Sequence, residues 1–248
     1  MDKLVRKIEV PLAKKAVSDA GLYVAEWKDL ERLAQIAMDA YRDYPLHNWF
    51  TNGRYDCEAS KRIMEVSLRT MVKDGVIYAD SPQLNGFAAW LPLGFTGSKT
   101  IPFLTHGGMR LILRSGPQII GKLLTYETYA MNLKKKYTEN VDWYLYNLSV
   151  SPKAQGKGIA TKLLRPMLDF CDRENIVCYL ETNKQSNVSL YQHFGFQLSE
   201  QGLIPGSNVM HYAMIRPPQT IQSHISLQTE STISTRSTPR SSNTASRS

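Results

Sequence analysis

The chain of 248 residues has only three cysteines, and their positions favour neither a disulfide framework nor a metal site. Cys57, Cys171 and Cys178 would leave one thiol unpaired in any disulfide scheme. Their spacing also lacks the close pairs that structural zinc sites use. We therefore expect reduced thiols in a reducing compartment, and no bound metal.

Long hydrophobic runs are also missing. No segment of the sequence approaches the ~20 consecutive apolar residues that a membrane-spanning helix needs. Residues 1–6 lack the apolar core of a secretory signal peptide. We therefore expect a cytoplasmic protein with no membrane partner.

The net charge of +8 is not concentrated in any run of five basic residues. Such a charge could serve nucleic acid, a membrane surface or an anionic small ligand. No nucleic-acid recognition module occurs, which favours the anionic ligand over nucleic acid. The Gly-x-x-x-x-Gly-Lys-Ser/Thr motif is absent as well, which argues against a nucleoside triphosphatase.

The composition is that of one folded domain followed by a different segment. Hydrophobic residues make up 42% of the chain and charged residues 21%, which is enough for a sizeable core. From residue 217 onward, 15 of the last 32 residues are serine or threonine. Such a segment cannot bury enough apolar surface to offset its ordering entropy. We expect one domain over residues 1–217 and a disordered tail over residues 218–248.

Hydrophobic spacing predicts alternating helices and strands. Helical spacing of apolar residues places helices at 29–41, 57–73, 117–137, 158–174 and 187–193. Apolar runs of strand length place strands at 76–79, 87–91, 143–150, 177–182, 196–198 and 209–215. The first strand has two candidate positions, 8–12 and 22–25. Residues 44–50 are expected to form a loop, and Pro166 is expected to kink its helix.

The stretch from Trp143 to Thr161 combines a strand, a glycine-containing loop and a helix start. Backbone N–H groups at a helix start lack partners within the helix, and the helix dipole adds partial positive charge there. Such an end binds phosphate groups readily. Gly156 and Gly158 permit close approach of a ligand, and Lys157 adds a cation. The pattern indicates an anion site, with a plain strand–turn–helix connection as the alternative.

The sequence of this loop resembles the Gln/Arg-x-x-Gly-x-Gly/Ala loop of the GCN5-related N-acetyltransferase (GNAT) family. In this chain the loop reads Gln155-Gly156-Lys157-Gly158-Ile159-Ala160. Three further motifs follow in that family's order: Leu180-Glu181-Thr182, Asn187-Val188-Ser189-Leu190-Tyr191 and Phe194-Gly195-Phe196. They are most similar to the puromycin N-acetyltransferase-like members. The resemblance is strong over 143–217 and weaker over 37–92.

This resemblance implies the acyl-CoA N-acyltransferase fold, an α/β (α+β) architecture with a mixed twisted sheet flanked by helices. It also implies acetyl-CoA as acetyl donor, with the pyrophosphate on the glycine loop and the pantetheine arm along 148–150. The residues implied in cofactor binding are Leu148, Ser149, Val150, Gln155, Gly156, Lys157, Gly158, Ile159, Ala160, Thr161 and Asn187. Residues 94–140 are a helical insertion relative to the family, expected to cover the acceptor site or to form a dimer contact.

Two residues are implied in the chemistry. Tyr191 matches the family's tyrosine and is expected to protonate the departing thiolate, a general-acid role. The alternative is an ordinary core tyrosine. Glu181 is expected to act as general base, and a structural carboxylate is an equally supported alternative. Asn147 is a polar residue in an otherwise apolar strand and is a candidate for lining the acceptor pocket.

The implied activity is direct acetyl transfer to a primary amine of a small molecule, in a ternary complex, by a monomer or homodimer. Tyr44, Trp49 and Phe50 lie where the family lines its acceptor site. They would suit an amine with an aromatic or apolar body, or they belong to the core. The alternative functions are a non-catalytic acyl-CoA-binding sensor and, from the basic charge, a nucleic-acid-binding protein.

Overall fold

The computed structural model describes residues 10–53, 57–93, 116–137 and 141–219. Contacts between residues divide the chain into two units, 1–218 and 219–248. The expected tail lies outside the described residues apart from Pro218 and Gln219. Most of the expected insertion also lies outside them, but its long helix is described.

Seven α-helices, two short 3-10 helices (Trp27–Asp29 and Pro152–Ala154) and seven strands occur in the described part of the chain. The helices are α1 (Val10–Asp19), α2 (Leu30–Ala40), α3 (Pro45–Phe50), α4 (Cys57–Asp74), α5 (Pro117–Lys135), α6 (Ile159–Arg173) and α7 (Gln185–His193). The strands are β1 (Tyr23–Val24), β2 (Val76–Ala79), β3 (Gly86–Pro92), β4 (Trp143–Val150), β5 (Cys178–Thr182), β6 (Gln197–Leu203) and β7 (Met210–Arg216).

The strands form one mixed sheet in the order β1-β2-β3-β4-β5-β7-β6. All neighbours are antiparallel except β4 and β5, which run parallel. Their pairing stops early, because the register joins only Trp143–Leu145 to Cys178–Leu180. The second half of β4 therefore pairs with β3 on one side and with no strand of the described residues on the other.

A β-bulge in β4 changes which side chains face each layer. Ala89 pairs with Asn147 while its neighbour Trp90 pairs with Leu145, so Tyr146 is the extra residue. Leu145 packs with α6, and beyond the bulge Leu148 does the same. Asn147 is thereby placed on the opposite face, against α4, where its amide nitrogen lies 3.8 Å from the sulfur of Met64. Side chains of β4 switch faces because a bulge shifts the two-residue alternation by one.

Helices cover both faces of the sheet. On one face, α1, α6 and α7 enclose the largest cluster of buried apolar side chains, which includes Tyr78, Trp90, Leu164 and Met214. On the other face, α2 and α4 cover the half from β1 to β4. The half from β5 to β6 is covered by α3 and α5, whose apolar side chains pack against Ile204, Val209 and Tyr179.

Several local expectations were wrong. Residues 45–50 form a helix rather than a loop. Pro45 occupies the first turn, where a backbone N–H group would have no partner within the helix, so the proline costs no hydrogen bond there. The first strand is at 23–24, within the second of its two candidate positions, and residues 10–19 form a helix. Helical spacing over 117–137 predicts Ile120, Leu123, Leu124 and Met131 as its buried positions, but Leu124 and Met131 are exposed. Leu133 and Lys134 are buried instead.

Gly75, at the end of α4, is required by the close approach of β3. A Cβ atom there would lie 2.2 Å from the backbone oxygen of Trp90. Gly75→Ala is therefore expected to lower the free energy of unfolding by about 3 kcal/mol. Gly121→Ala is the matched control, because nothing lies within 4 Å of a Cβ at that exposed helix position. It should raise the free energy by about 1 kcal/mol. Urea unfolding measures both free energies. Equal effects of the two substitutions would contradict the claim that the close approach of β3 requires glycine at position 75.

Candidate active site

The loop after β4 turns at two glycines before α6 begins. Gly156 and Gly158 have φ angles of 75° and 74°, which favour glycine over other residues. Gly158 is the N-cap of α6, so the N–H groups of Ile159, Ala160 and Thr161 lack partners within the helix. A Cβ atom at either glycine would meet nothing within 4 Å. The loop therefore presents free N–H donors on an open surface.

The β2–β3 turn supports this loop. The Ser151 N–H group donates to the Asn85 backbone oxygen at 2.8 Å. The Lys162 ammonium group, in the first turn of α6, donates to the Asp80 backbone oxygen at 2.7 Å. Lys157 lies exposed in the loop itself. Two lysines and the helix dipole thus make this end of the sheet positive, which suits a diphosphate.

The free edge of β4 begins beside the loop. Leu148, Ser149 and Val150 pair with β3 through one edge, and their other edge faces the gap toward β5. The Ser149 side chain is buried and donates to the Asn147 side-chain oxygen at 2.7 Å. The Gln155 side chain donates to the Val150 backbone oxygen at 3.2 Å. The geometry leaves an edge of backbone along which an extended ligand can pair like an added strand.

Tyr191 lies on α7, in the buried cluster against which Leu148 of β4 and Ile159 of α6 pack. Its side chain is mostly buried, and its ring meets Phe196 edge-on at 5.9 Å between centroids. Burial raises the pKa of Tyr191 well above its usual value, and the nearby Tyr44 raises it further. The phenol is therefore protonated near neutral pH. A protonated hydroxyl in this position can donate a proton.

A chain of hydrogen bonds joins α3 to α7 at the same gap. The hydroxyl groups of Tyr44 and Thr182 lie 2.9 Å apart, and the Asn183 N–H group donates to Tyr44 at 2.7 Å. The Asn187 amide donates to the Thr182 hydroxyl at 3.1 Å. Tyr44 precedes the first residue of α3, so these bonds fix the start of that helix at the end of β5.

More aromatic side chains surround this point. Burial raises the pKa of Tyr41 well above its usual value, and the neighbouring Tyr44 and Tyr191 raise it further. The His47 ring stacks on Tyr41 with 5.3 Å between centroids. Burial lowers the pKa of His47 to about 4, so its imidazole is neutral. Phe50 belongs to the buried cluster with α5, whereas Trp49 is half-buried beside it.

Glu181 is buried on the α5 side of β5. Its carboxylate accepts hydrogen bonds from the hydroxyl groups of Tyr144 at 2.9 Å and Tyr179 at 2.8 Å. The Lys134 ammonium group lies 3.4 Å away. His211 is fully buried nearby, with Nε2 3.8 Å from Glu181 and no hydrogen-bond partner. The structure thus surrounds this carboxylate with protein groups.

A model of the acetyltransferase (GNAT) family matches residues 78–196, which run from β2 past α7. The chain belongs to the GNAT family. It is therefore an acyltransferase, and members of this family generally use acetyl-CoA as donor. The mixed sheet with parted central strands is the fold that this family shares, as expected from the glycine loop and its downstream motifs.

Relatives of this GNAT enzyme carry N-acetyltransferase names. An uncharacterised N-acetyltransferase of Schizosaccharomyces pombe is 28% identical over 211 residues, covering 79% of this chain and 82% of the relative. Polyamine N-acetyltransferase of Drosophila melanogaster is a structural neighbour with a TM-score of 0.55 and 12% identity, covering 79% of this chain and 98% of its own. Arylalkylamine N-acetyltransferase 2 of Aedes aegypti has a TM-score of 0.52 and 17% identity, with coverages of 80% and 98%. At these identities the two structures show the fold alone.

The structure brings the glycine loop, the 148–150 edge, Asn187 and Tyr191 of this GNAT chain to one end of the sheet. Glu181 lies on the same strand as Thr182, but on the face that α5 covers. Sequence reasoning missed Tyr41 and Thr182 as members of the site. Thr182 stood in the recognised Leu-Glu-Thr motif, whereas Tyr41 carried no signal beyond its helical spacing.

The four described ranges contain neither a candidate metal-binding cluster nor a candidate membrane-spanning helix. No group of three or more His, Cys, Asp or Glu side chains is arranged there to hold a metal ion. None of the helices there combines the length and apolar character needed to cross a bilayer.

Proposed function

We propose that this GNAT enzyme acetylates the primary amine of a small molecule by direct transfer, with acetyl-CoA and the amine bound together. One observation carries the proposal. Burial keeps the Tyr191 hydroxyl protonated close to Tyr44, which bonds the last residue of β5, and the ring packs in the same cluster as Ile159, where α6 begins with N–H groups that lack partners within the helix.

The donor side uses backbone groups. Ile159, Ala160 and Thr161 would hold the diphosphate through their N–H groups, with Gly156 and Gly158 leaving room and Lys157 adding charge. The free edge of Leu148–Val150 would pair with the pantetheine arm, together with the Asn187 side chain. Acetyl-CoA supplies an acetyl group activated as a thioester. The Val150 N–H group would polarise the thioester carbonyl, as an oxyanion-hole donor does.

The chemistry on the protein side is proton transfer. Tyr191 holds a proton at its hydroxyl group for the sulfur that leaves. Glu181 is the carboxylate proposed from the sequence to take the proton of the amine. Its two tyrosine donors and Lys134 favour its alternative role as a structural carboxylate, and the two roles are separated experimentally below.

The acceptor side is aromatic. Tyr41 and Tyr44 reach the gap from the helical layer, and Trp49 and Tyr126 lie between α3 and α5. Aromatic faces attract both apolar bodies and ammonium groups. This lining supports a small amine with an aromatic or apolar body as the acceptor.

A panel of amines tests the proposal, with thiol release from acetyl-CoA as the readout. Puromycin, an arylalkylamine and a polyamine represent small acceptors, and a peptide with a free α-amine represents protein termini. We expect release with a small amine that exceeds the peptide rate at least about tenfold, a difference of about 1.4 kcal/mol in transition-state binding.

Other results would overturn the proposal. Tight acetyl-CoA binding without release for any amine would indicate a sensor. Preference for the peptide would indicate a protein acceptor. Steeply salt-dependent binding to DNA or RNA would indicate a nucleic-acid ligand.

A further inference from the structure

Helix α5 lies over the half of the sheet that runs from β5 to β6. Apolar side chains from its whole length are buried in two clusters. Leu123 packs with Phe50 and Val209, and Leu133 packs with Tyr179 and Ala213. Tyr126 and Tyr129 meet the His211 ring edge-on, at 6.0 and 5.4 Å between centroids. The insertion helix is therefore part of the wall around the aromatic acceptor side.

Lys134 is a charged residue at the centre of this apolar contact. Its side chain is 9% exposed, and its ammonium group lies 4.5 Å from the centre of the Tyr144 ring. Burying an ammonium group is costly unless a counter-charge lies close by. The Glu181 carboxylate, 3.4 Å away and 2% exposed, is that counter-charge.

The surroundings of Glu181 hold its side chain in place through two hydrogen bonds. Tyr144 and Tyr179 each donate a hydroxyl hydrogen to one of its oxygens. Burial, and next the charge of Glu181, raises the pKa of both phenols, so that each keeps its proton. Because both carboxylate oxygens already accept a hydrogen bond, the group is fixed in place rather than directed at an open site.

His211 does not compete with Lys134 for this carboxylate. The Asn183 amide lies 3.3 Å from His211 Nδ1 and also donates to the Met210 backbone oxygen. Because the amide nitrogen donates, His211 Nδ1 must accept through its lone pair. The hydrogen of the neutral imidazole is therefore on Nε2. Burial lowers the pKa of His211, and this effect outweighs the opposing charge of Glu181, while Lys134 lowers the pKa further. The imidazole is therefore neutral, and the charged partner of Glu181 is Lys134.

We propose that the buried Lys134–Glu181 pair fastens α5 over the acceptor side of the sheet, and that Glu181 is a positioning residue for that side. The pair joins the insertion helix to β5, one residue before Thr182 and its bond to Tyr44. Loss of the pair should loosen α5 and misplace Tyr126 and Tyr129. What the covered surface binds rests on the proposed function, whereas the fastening is a property of the fold.

The test compares Lys134→Met, Glu181→Gln and the double variant by hydrogen exchange and kinetics. Each single variant leaves one buried charge unpaired, which is strongly destabilising. We expect amides of 117–135 to exchange at least about tenfold faster and the acceptor KM to rise at least about tenfold. The acetyl-CoA dissociation constant should stay within about twofold of the parent. The double variant has no unpaired charge, so its losses should be smaller than those of either single variant, but exchange in α5 should remain faster than in the parent because the link to β5 is missing. Lys135→Met is the matched control, because it removes an exposed lysine from the same turn.

Two outcomes would overturn the proposal. In one, Lys134→Met leaves exchange in α5 and the acceptor KM unchanged. In the other, Glu181→Gln abolishes turnover without faster exchange and the double variant remains inactive, which would identify Glu181 as the general base. If the parent protein acetylates no amine, the exchange data still decide whether the pair fastens α5. A failure of the proposed function is thereby distinguished from a failure of this inference.

Discussion

Gly158→Glu is expected to weaken acetyl-CoA binding at least about 100-fold. A carboxylate at this position would point its charge into the loop that offers N–H groups to the diphosphate. At a separation of about 5 Å and an effective dielectric of about 20, one repelling charge costs about 3 kcal/mol, which is more than a factor of 100 in affinity. Isothermal titration calorimetry with acetyl-CoA measures the change.

The control must separate charge repulsion from backbone strain. Gly158 has a φ angle of 74°, and a residue with a Cβ pays about 1–2 kcal/mol there. Gly21→Glu places the same side chain at a φ of 76°, also with nothing within 4 Å of the Cβ, at the end of α1. Both variants should lose similar stability, but only Gly158→Glu should lose affinity. Equal acetyl-CoA affinities in the two variants would show that the loop is not part of the donor site.

The glycine loop could be predicted from the sequence because its geometry is local. Two glycines separated by one residue, placed between an apolar strand and an amphipathic helix, leave few backbone solutions. The structure has both glycines at positive φ, with α6 beginning at Ile159, one residue after the expected start. Pro166 lies inside the helix as expected, and a kink at that residue stays a prediction.

The acceptor side could not be predicted in the same way, because its geometry depends on distant contacts. The bulge at Tyr146 reverses the alternation of β4, and no residue type marks it. Asn147 therefore packs against α4 and Ser149, although its sequence position was equally compatible with a pocket. Helix α5 has apolar residues on more than one face, so its sequence does not reveal that the Leu133–Lys134 side is buried.

Glu181 shows the same limit at a single residue. A motif match can place a carboxylate on a strand, but its role depends on what the opposite layer brings to it. Here the opposite layer is the insertion helix. It brings Lys134, which is 47 positions earlier in the chain, next to Glu181. Long-range pairing of this kind leaves no periodic signal, so the base and the structural carboxylate could not be distinguished before the fold was known.

Tyr191→Phe is expected to lower kcat by about 10²–10⁴-fold, the usual contribution of a general acid. Removing one oxygen takes away the proton that the leaving sulfur would receive, while the ring still fills its place against Phe196. The acetyl-CoA dissociation constant should therefore stay within about twofold. Because burial raises the pKa of Tyr191, the hydroxyl group keeps its proton well above neutral pH, and the parent's activity should persist at pH 9.

Tyr78→Phe provides the matched comparison, because it removes a buried hydroxyl whose two hydrogen bonds are made to α6 and β3. The Tyr78 hydroxyl donates to the Leu163 backbone oxygen at 2.9 Å and accepts the Trp90 indole N–H group at 2.9 Å. Its loss leaves a buried donor unpaired, which should cost about 1–3 kcal/mol of stability. Turnover per folded molecule should not change. The two variants should therefore show opposite patterns, a kinetic loss for Tyr191→Phe and a stability loss for Tyr78→Phe. Parent-like kcat in Tyr191→Phe would make Tyr191 a core tyrosine and assign the proton donor to another group.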